Sequence, residues 1–290
     1  MTAKWIAIGA AGAIGVGLAV YAFFVEPLML RLNRIELRFP DLPQGLDGLT
    51  ICHLSDIHSV WFGGIEEKLV RMLSEIDADV CAITGDIGYV PIGIEVLRRA
   101  HEALRPRLGA FFVPGNGDYK VVADIEEITR GLAGIGIRPL MNDSALVSDG
   151  DQRLCVIGVD DPYRGYDDLA RALSNATGDG FKLLLAHSPD IIVDLSDDSA
   201  DLVLAGHTHG GQVRIPFVGA IWLNLRHRLG ISRGHYGPEA LSRMLGRNLP
   251  HTHLYVSGGI GGSWFRARFM CPPEIALITL RRANPEPFPV

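Results

Sequence analysis

Five short apolar runs in this chain stop in the same way. LTICHL (49–54) leads into Ser55-Asp56-Ile57-His58, DVCAIT (79–84) into Gly85-Asp86, and AFFVP (110–114) into Gly115-Asn116-Gly117-Asp118. FKLLLA (181–186) leads into His187, and ADLVLAG (200–206) into His207-Thr208-His209-Gly210-Gly211. Runs of this length and composition read as buried strands. An aspartate after a glycine is ordinarily a turn or cap residue, and a lone histidine is ordinarily a satisfied polar side chain. Five polar strand ends in series ask for more than that. Asp56 and His58, two residues apart, share a face of extended chain. In open α/β sheets, ligands gather beyond the carboxyl ends of the strands. The fold must therefore deliver these five ends to one place.

The intervening segments predict helices. Apolar spacing places them at 65–77, 92–105, 121–133 and 166–175, with a short one near 189–195. Further strands are predicted at 144–148, 153–159, 253–258 and 274–280. This alternation is an α/β pattern of sheets covered by helices. The 290 residues, 48% of them hydrophobic, suffice for a full core. A net charge of −6 argues against a general nucleic-acid binder, so no nucleic acid is expected as a partner. An acidic protein that handles phosphates must supply positive charge locally, and metal ions are one source. Cys52, Cys81, Cys155 and Cys271 form no CxxC pair and read as small buried residues.

The N-terminus is a separate object. WIAIGAAGAIGVGLAVYAFF (5–24) carries no charge and matches the ~20 residues an α-helix needs to cross a bilayer. Val20-Tyr21-Ala22 could serve as a cleavage site, but the run exceeds the ~7–15 apolar residues usual in a signal peptide. Residues 1–25 are therefore expected to be an anchor, 26–48 a linker and edge segment, and 49–290 the main domain. Lys4 precedes the span and Arg31, Arg34 and Arg38 follow it, which places that domain in the cytoplasm.

The order D-x-H, G-D, G-N, H, G-H-x-H over roughly residues 49–280 resembles the calcineurin-like metallophosphoesterases. The apolar N-terminus, GHTHGGQ and the ending CPPEIALITL are similar to a membrane-associated bacterial branch with phosphodiesterases and a UDP-2,3-diacylglucosamine hydrolase of lipid A synthesis. The resemblance implies a four-layer αββα sandwich on a single-pass anchor in the inner (plasma) membrane. It implies two divalent ions, one on Asp56, His58, Asp86 and His209, the other on Asp86, Asn116, His187 and His207, with Asp86 shared. Mixed carboxylate, amide and imidazole ligation suits Mn, Fe or Zn. Such a pair can activate a hydroxide and clamp phosphoryl oxygens. Asp86, Asn116 and Asp118 are the expected catalytic residues.

One position departs from the pattern. The family motif is G-N-H followed by Asp or Glu, and here Gly117 stands where the histidine belongs, with Asp118 kept. A positioned proton donor is typically worth ~10²–10⁴ in rate. A substrate with a good leaving group, such as a pyrophosphate, would feel its loss less. His227, His235, His251 and His253 are candidate replacements, and Gly117→His is expected to speed hydrolysis of esters with poor leaving groups. The expected function is hydrolysis of a phosphodiester or pyrophosphate in a phosphorylated small molecule or lipid at the membrane. The alternative is a metal-binding, catalytically weak membrane-tethered scaffold. Val60-Trp61-Phe62, the 215–230 segment and Trp264-Phe265-Arg266 mix aromatic and basic residues, as membrane interfaces do. Arg226 and Arg266, with Arg228 and Arg268, are candidates to contact substrate phosphates.

Overall fold

The computed structural model describes residues 2–149, 152–176, 180–196, 199–227, 229–263 and 265–283. Arg228 and Trp264 lie outside the described residues. Along the chain the strands are β1 (Arg31–Phe39), β2 (Thr50–Leu54), β3 (Val80–Thr84), β4 (Gly109–Val113), β5 (Ile137–Pro139), β6 (Asp143–Asp149), β7 (Gln152–Gly158), β8 (Phe181–Leu185), β9 (Leu202–Ala205), β10 (Arg214–Ile215), β11 (Gly219–Ala220), β12 (Gly234–Tyr236), β13 (His253–Val256) and β14 (Glu274–Arg282). The helices are α1 (Thr2–Val20), α2 (Gly64–Leu73), α3 (Ile92–Leu104), α4 (Asp118–Val121), α5 (Glu126–Gly134), α6 (Leu169–Ser174) and α7 (Pro238–Leu245).

The strands make two six-stranded sheets, β1-β14-β2-β3-β4-β5 and β12-β13-β9-β8-β7-β6, and β10 pairs with β11 as a small hairpin. Strands β2 to β5 are mutually parallel, as are β7, β8, β9 and β13. Alternation along each strand separates three cores. Ile51, Val80, Ala82 and Phe111 from the first sheet meet Leu154, Leu183, Leu202 and Leu204 from the second between the sheets. Their neighbours Cys52, Cys81, Ile83 and Phe112 turn outward to Leu69, Leu73, Leu97 and Leu132 of α2, α3 and α5. On the other outer face, Ile157, Leu184 and Val203 meet Ala172, Ile191, Ile192 and Leu241. The result is the αββα sandwich, with the central parallel strands β2, β3, β4, β8 and β9 buried on both faces as parallel sheets require.

The predicted helices appear with shifted ends. The one predicted at 92–105, α3, stops at Leu104 because Arg105 turns left-handed (φ 50°) ahead of Pro106. The one predicted at 121–133 is instead two, α4 and α5. Val122 is extended, and the Asp124 carboxylate accepts the Glu126 N–H to open the second. Segment 26–48 supplies β1, the edge of the first sheet. Leu37, Phe39, Leu42 and Leu46 from it are buried between the sheets, which makes it part of the core as well as a connection. All four cysteines are buried and free.

The stretch Ala3–Leu28 has a mean hydropathy of 2.1 over its most apolar 18 residues, none of them buried against the rest of the chain, and is long and apolar enough to cross a membrane. Its end is fastened to the sandwich. Glu26 is buried, and its carboxylate accepts the backbone N–H groups of Met270 (3.0 Å) and Cys271 (2.5 Å). The Arg268 N–H donates to the Ala22 carbonyl at 2.8 Å.

Candidate metal centre

All seven residues read from the strand ends meet. Asp56 and His58 follow β2, Asp86 follows β3, Asn116 follows β4, His187 follows β8, and His207 and His209 follow β9. Six of them are buried and His58 is partly so. Five of them, Asp56, His58, Asp86, His207 and His209, have positive φ, at 51°, 46°, 54°, 67° and 49°. Such conformations cost about 1–3 kcal/mol each and persist only where the surroundings hold them. What holds them is visible. Asp56 N–H donates to Gly85 O (3.0 Å), and His58 N–H to Asp86 O (2.9 Å). The Asp118 carboxylate accepts the N–H groups of Asp86, Ile87 and Gly115 at 2.8–2.9 Å. Burial and the nearby Asp86 push its pKa up to about 7. Asp118, expected among the catalytic groups, thus faces the backbone of the ligand loops.

The donor atoms converge as cation ligands do. His187 Nδ1 lies 2.7 Å from the Thr84 carbonyl, which can only accept, so Nδ1 carries the proton. His187 Nε2 then faces Asn116 Oδ1 at 3.2 Å, His207 Nδ1 at 3.2 Å and Asp86 Oδ2 at 3.6 Å. Asp86 Oδ2 also lies 3.3 Å from His58 Nε2, so one oxygen reaches both halves of the cluster. Its partner Oδ1 is held by the Gly117 N–H at 2.6 Å. His209 Nε2 lies 3.3 Å from Asp56 Oδ1 and 3.2 Å from His58 Nε2. Asp56, His58 and His209 bring ligand atoms within 4.8 Å of one another, and so do Asp56, Asp86 and His187.

Acceptors crowded against acceptors need a cation between them. Asp56 Oδ1 is buried without a hydrogen-bond partner, as a ligand atom would be. Burial alone would lower the His187 pKa, but the carboxylates of Asp86, Asp56 and Asp161 outweigh it and raise it to about 9. Burial and the neighbouring His187 push His207 down to about 3, and burial also lowers His209, so both rings stay neutral with a lone pair to offer. Carboxylate, amide and neutral imidazole together fit Mn, Fe or Zn.

A cavity of about 850 Å³ opens over the cluster. His58, Asp86, Asn116, His207 and His209 line it, as do Val60, Tyr89, Lys120, Trp222, Phe265 and Arg266. The Arg266 guanidinium stacks 4.3 Å above the Trp61 ring. Arg226 is elsewhere: its side chain donates to the Pro162 carbonyl (2.9 Å), and it does not line the cavity. Arg268 is fully buried and donates to the carbonyls of Gly258, Gly259, Gly261 and Cys271, so it serves the fold of that loop. None of His227, His235, His251 and His253 lines the cavity. His235 and His253 stack on each other at a ring-centroid distance of 5.0 Å, and His251 lies 4.0 Å from Asp41.

Gly117 has a structural reason of its own. A Cβ there would lie 2.7–2.8 Å from Oδ1, Cγ and Oδ2 of Asp86. In this conformation a β-carbon at 117 requires the Asp86 carboxylate to give way, so Gly117→His probes the space beside Asp86 as well as the missing acid.

Sequence reading missed two contributors. The loop after β13, SGGIGG, backs the first ligand pair: Ile260 and Gly261 N–H groups donate to Ser55 O (3.1 Å) and Asp56 O (2.7 Å). The loop after β7 brings Tyr163 against His207, ring centroids 4.5 Å apart, while burial pushes Asp161 up to about 6. Glycines and an Asp-Asp-Pro directly after strand-like runs were the available signals.

Comparison with known proteins agrees with the geometry. The family model for calcineurin-like phosphoesterase matches residues 49–211. The uncharacterized metallophosphoesterase YkuE of Bacillus subtilis is 29% identical over 95% of this chain and 94% of its own. A transmembrane protein with metallophosphoesterase domain from Danio rerio is 32% identical over 92% of this chain, which spans 61% of that protein's length. The UDP-2,3-diacylglucosamine pyrophosphatase LpxG of Chlamydia trachomatis is 27% identical over 89% of this chain and 92% of its own.

Proposed function

Because the chain belongs to the calcineurin-like phosphoesterases, a family of metal-dependent phosphoester hydrolases, we propose that it is a membrane-anchored hydrolase that works with two divalent ions. Its substrate is a lipid-linked phosphodiester or pyrophosphate, UDP-2,3-diacylglucosamine being the model compound suggested by the chlamydial relative. The helix is a single-pass anchor in the inner (plasma) membrane. Arg31, Arg34 and Arg38, exposed beyond it, against the single Lys4 before it, support a cytoplasmic sandwich by the positive-inside rule.

The observation that carries the reading is Asp86 Oδ2, set between His58 Nε2 and His187 Nε2 at 3.3 and 3.6 Å. Asp86 would be shared between two ion sites, with Asp56, His58 and His209 completing one and Asn116, His187 and His207 the other. Bound divalent ions supply Lewis acidity toward phosphoryl oxygens and acidify water. The protein does the rest. Thr84 holds the proton on His187 Nδ1 and keeps Nε2 turned inward. Asp118, by gathering three backbone N–H groups, positions the loops that carry Asp86 and Asn116. Lys120 and Arg266 bring positive charge to the cavity wall for phosphate oxygens. With glycine at 117 no imidazole protonates a departing group there, which favours a phosphate leaving group over an alkoxide.

The test is hydrolysis by the full chain, with Mn²⁺ and with a chelator, of an aryl phosphodiester and of UDP-2,3-diacylglucosamine, with Asp86→Ala as control. Metal-dependent turnover that is lost in the variant, with the lipid pyrophosphate the better substrate by kcat/KM, is expected. Bound metal without turnover of either compound would support the scaffold instead.

A further inference from the structure

We propose that the β10–β11 hairpin is a lip that enters the same bilayer as the N-terminal helix, so that the site opens onto the lipid surface. This rests on the reading of α1 as a membrane anchor. At ~1.5 Å per residue, its 19 residues span about 28 Å, close to the ~30 Å of a hydrocarbon core. The aromatic end of the apolar run, Tyr21, Phe23 and Phe24, therefore approaches the headgroup level, where aromatic residues collect.

At that level the helix grips the sandwich. Ala22 O accepts from Arg268 N–H at 2.8 Å, and the Tyr21 ring meets Phe269 edge-on at 6.3 Å. Phe269 forms a β-bridge with Val213, and its carbonyl accepts the Arg214 N–H at 2.9 Å. Residue 214 opens the hairpin, so its base lies one pairing away from the end of the anchor.

The hairpin's side chains have no protein to cover them. Ile215, Phe217, Val218, Ile221 and Trp222 are all exposed, Val218 at 72% and Trp222 at 74%. One exposed apolar residue is ordinary, whereas five within eight residues mark an interaction surface. Phe217 holds its fully exposed ring at φ 65°, a strained backbone for a bulky residue. Cations lie close to these parts: Lys68 Nζ donates to Leu28 O at 3.3 Å just past the apolar run, Arg31 is exposed three residues further on, and exposed Arg266 lines the cavity with Trp222. Apolar side chains rimmed by Lys and Arg suit a surface with anionic lipid headgroups. Trp222 belongs to both the lip and the cavity wall. An acylated phosphoester could therefore present its phosphate to the centre while its chains stay in the bilayer.

The test places a polarity-sensitive fluorophore at Phe217→Cys, Ile14→Cys and Leu146→Cys in the full chain, reconstituted in phosphatidylcholine–phosphatidylglycerol vesicles. The four native cysteines are buried and do not compete. Ile14 lies on the exposed helix and Leu146 on β6, the outer strand of the second sheet. Quenching of the first two probes by nitroxide lipids, with Leu146 quenched only by aqueous iodide, is expected. Lipid quenching at Ile14 but not at Phe217 overturns the lip and leaves the anchor standing; its absence at Ile14 removes both. As a second readout, the double variant Phe217→Asp, Val218→Asp should lose about tenfold in turnover of vesicle-embedded substrate and nothing on a water-soluble aryl diester. An equal change on both substrates overturns the proposal.

Discussion

The two sheets contribute to the centre unequally. The first provides every proposed oxygen ligand, Asp56, Asp86 and Asn116, on loops cross-tied to one another by main-chain hydrogen bonds and by Asp118. The second provides only imidazoles, His187, His207 and His209, and these lean on the first: His187 Nδ1 on Thr84 O, and the His207 N–H on Asp56 Oδ2 at 3.0 Å. A frame and a set of ligands fitted to it are different things to damage. Loss of a frame residue should disturb the whole centre, while loss of an imidazole should disturb its own half.

The largest effect is expected at Asp86. Asp86→Ala should leave no stably bound metal and cut turnover by at least about 10³-fold, because the shared oxygen disappears from both halves. His187→Ala should keep one ion per chain. Metal counts by mass spectrometry decide, and two ions retained without Asp86 would overturn the shared-ligand assignment. Next comes Gly117. A β-carbon 2.7–2.8 Å from the Asp86 carboxylate must shift it, and misplacement of about 1 Å costs roughly 10² in rate. Gly117→Ala and Gly117→His should both slow the enzyme. A histidine variant faster than wild type on poor leaving groups would mean that the absent acid, rather than the space beside Asp86, limits the rate. A smaller loss is expected at Asp118. Asp118→Asn keeps the shape but turns an amide toward one of the N–H donors, which should weaken metal binding by about 10–100-fold. Wild-type affinity in that variant would show that the frame stands without it.

How much of this could be read beforehand follows the same division. The strand-end residues were legible because buried parallel strands are unbroken apolar runs, and the polar residue after each is conspicuous. The four layers followed from the family pattern those ends form. The roles within the centre were less legible. Asp118 looks like a site residue in sequence because it neighbours one, and only its three backbone partners reveal what it braces. Arg226 and Arg268 looked like phosphate ligands, but Arg226 turns to the Pro162 carbonyl away from the cavity lining, and Arg268 is buried on carbonyls around Gly259. Gly117 read as a missing histidine, a reading that Gly117→His tests; what the sequence could not show is how near a β-carbon there would lie to the Asp86 carboxylate, 31 residues away. The break between α4 and α5 was hidden because Val121, Val122 and Ile125 continue a helical spacing.

The gentlest prediction probes the imidazole side by pH. Without metal, His187 titrates near 9 instead of the ordinary 6.5: burial opposes the charge, and Asp86, Asp56 and Asp161 more than compensate. A raised folded-state pKa contributes stability that is fully present below about 6.5 and is lost as pH rises through 9. The metal-free protein should therefore unfold more readily across that window, as thermal melts in chelator would show. A metal ion needs the neutral ring, so binding must expel this proton, and affinity should climb by about tenfold per pH unit between 7 and 9 before levelling. Calorimetry in buffers of different ionisation enthalpy counts the protons released. Release of one near pH 7.5, absent in His187→Ala, would mean that the frame's carboxylates hold a proton where they otherwise hold a metal. No release would mean that His187 is already neutral there and that the first sheet exerts no such pull on the second.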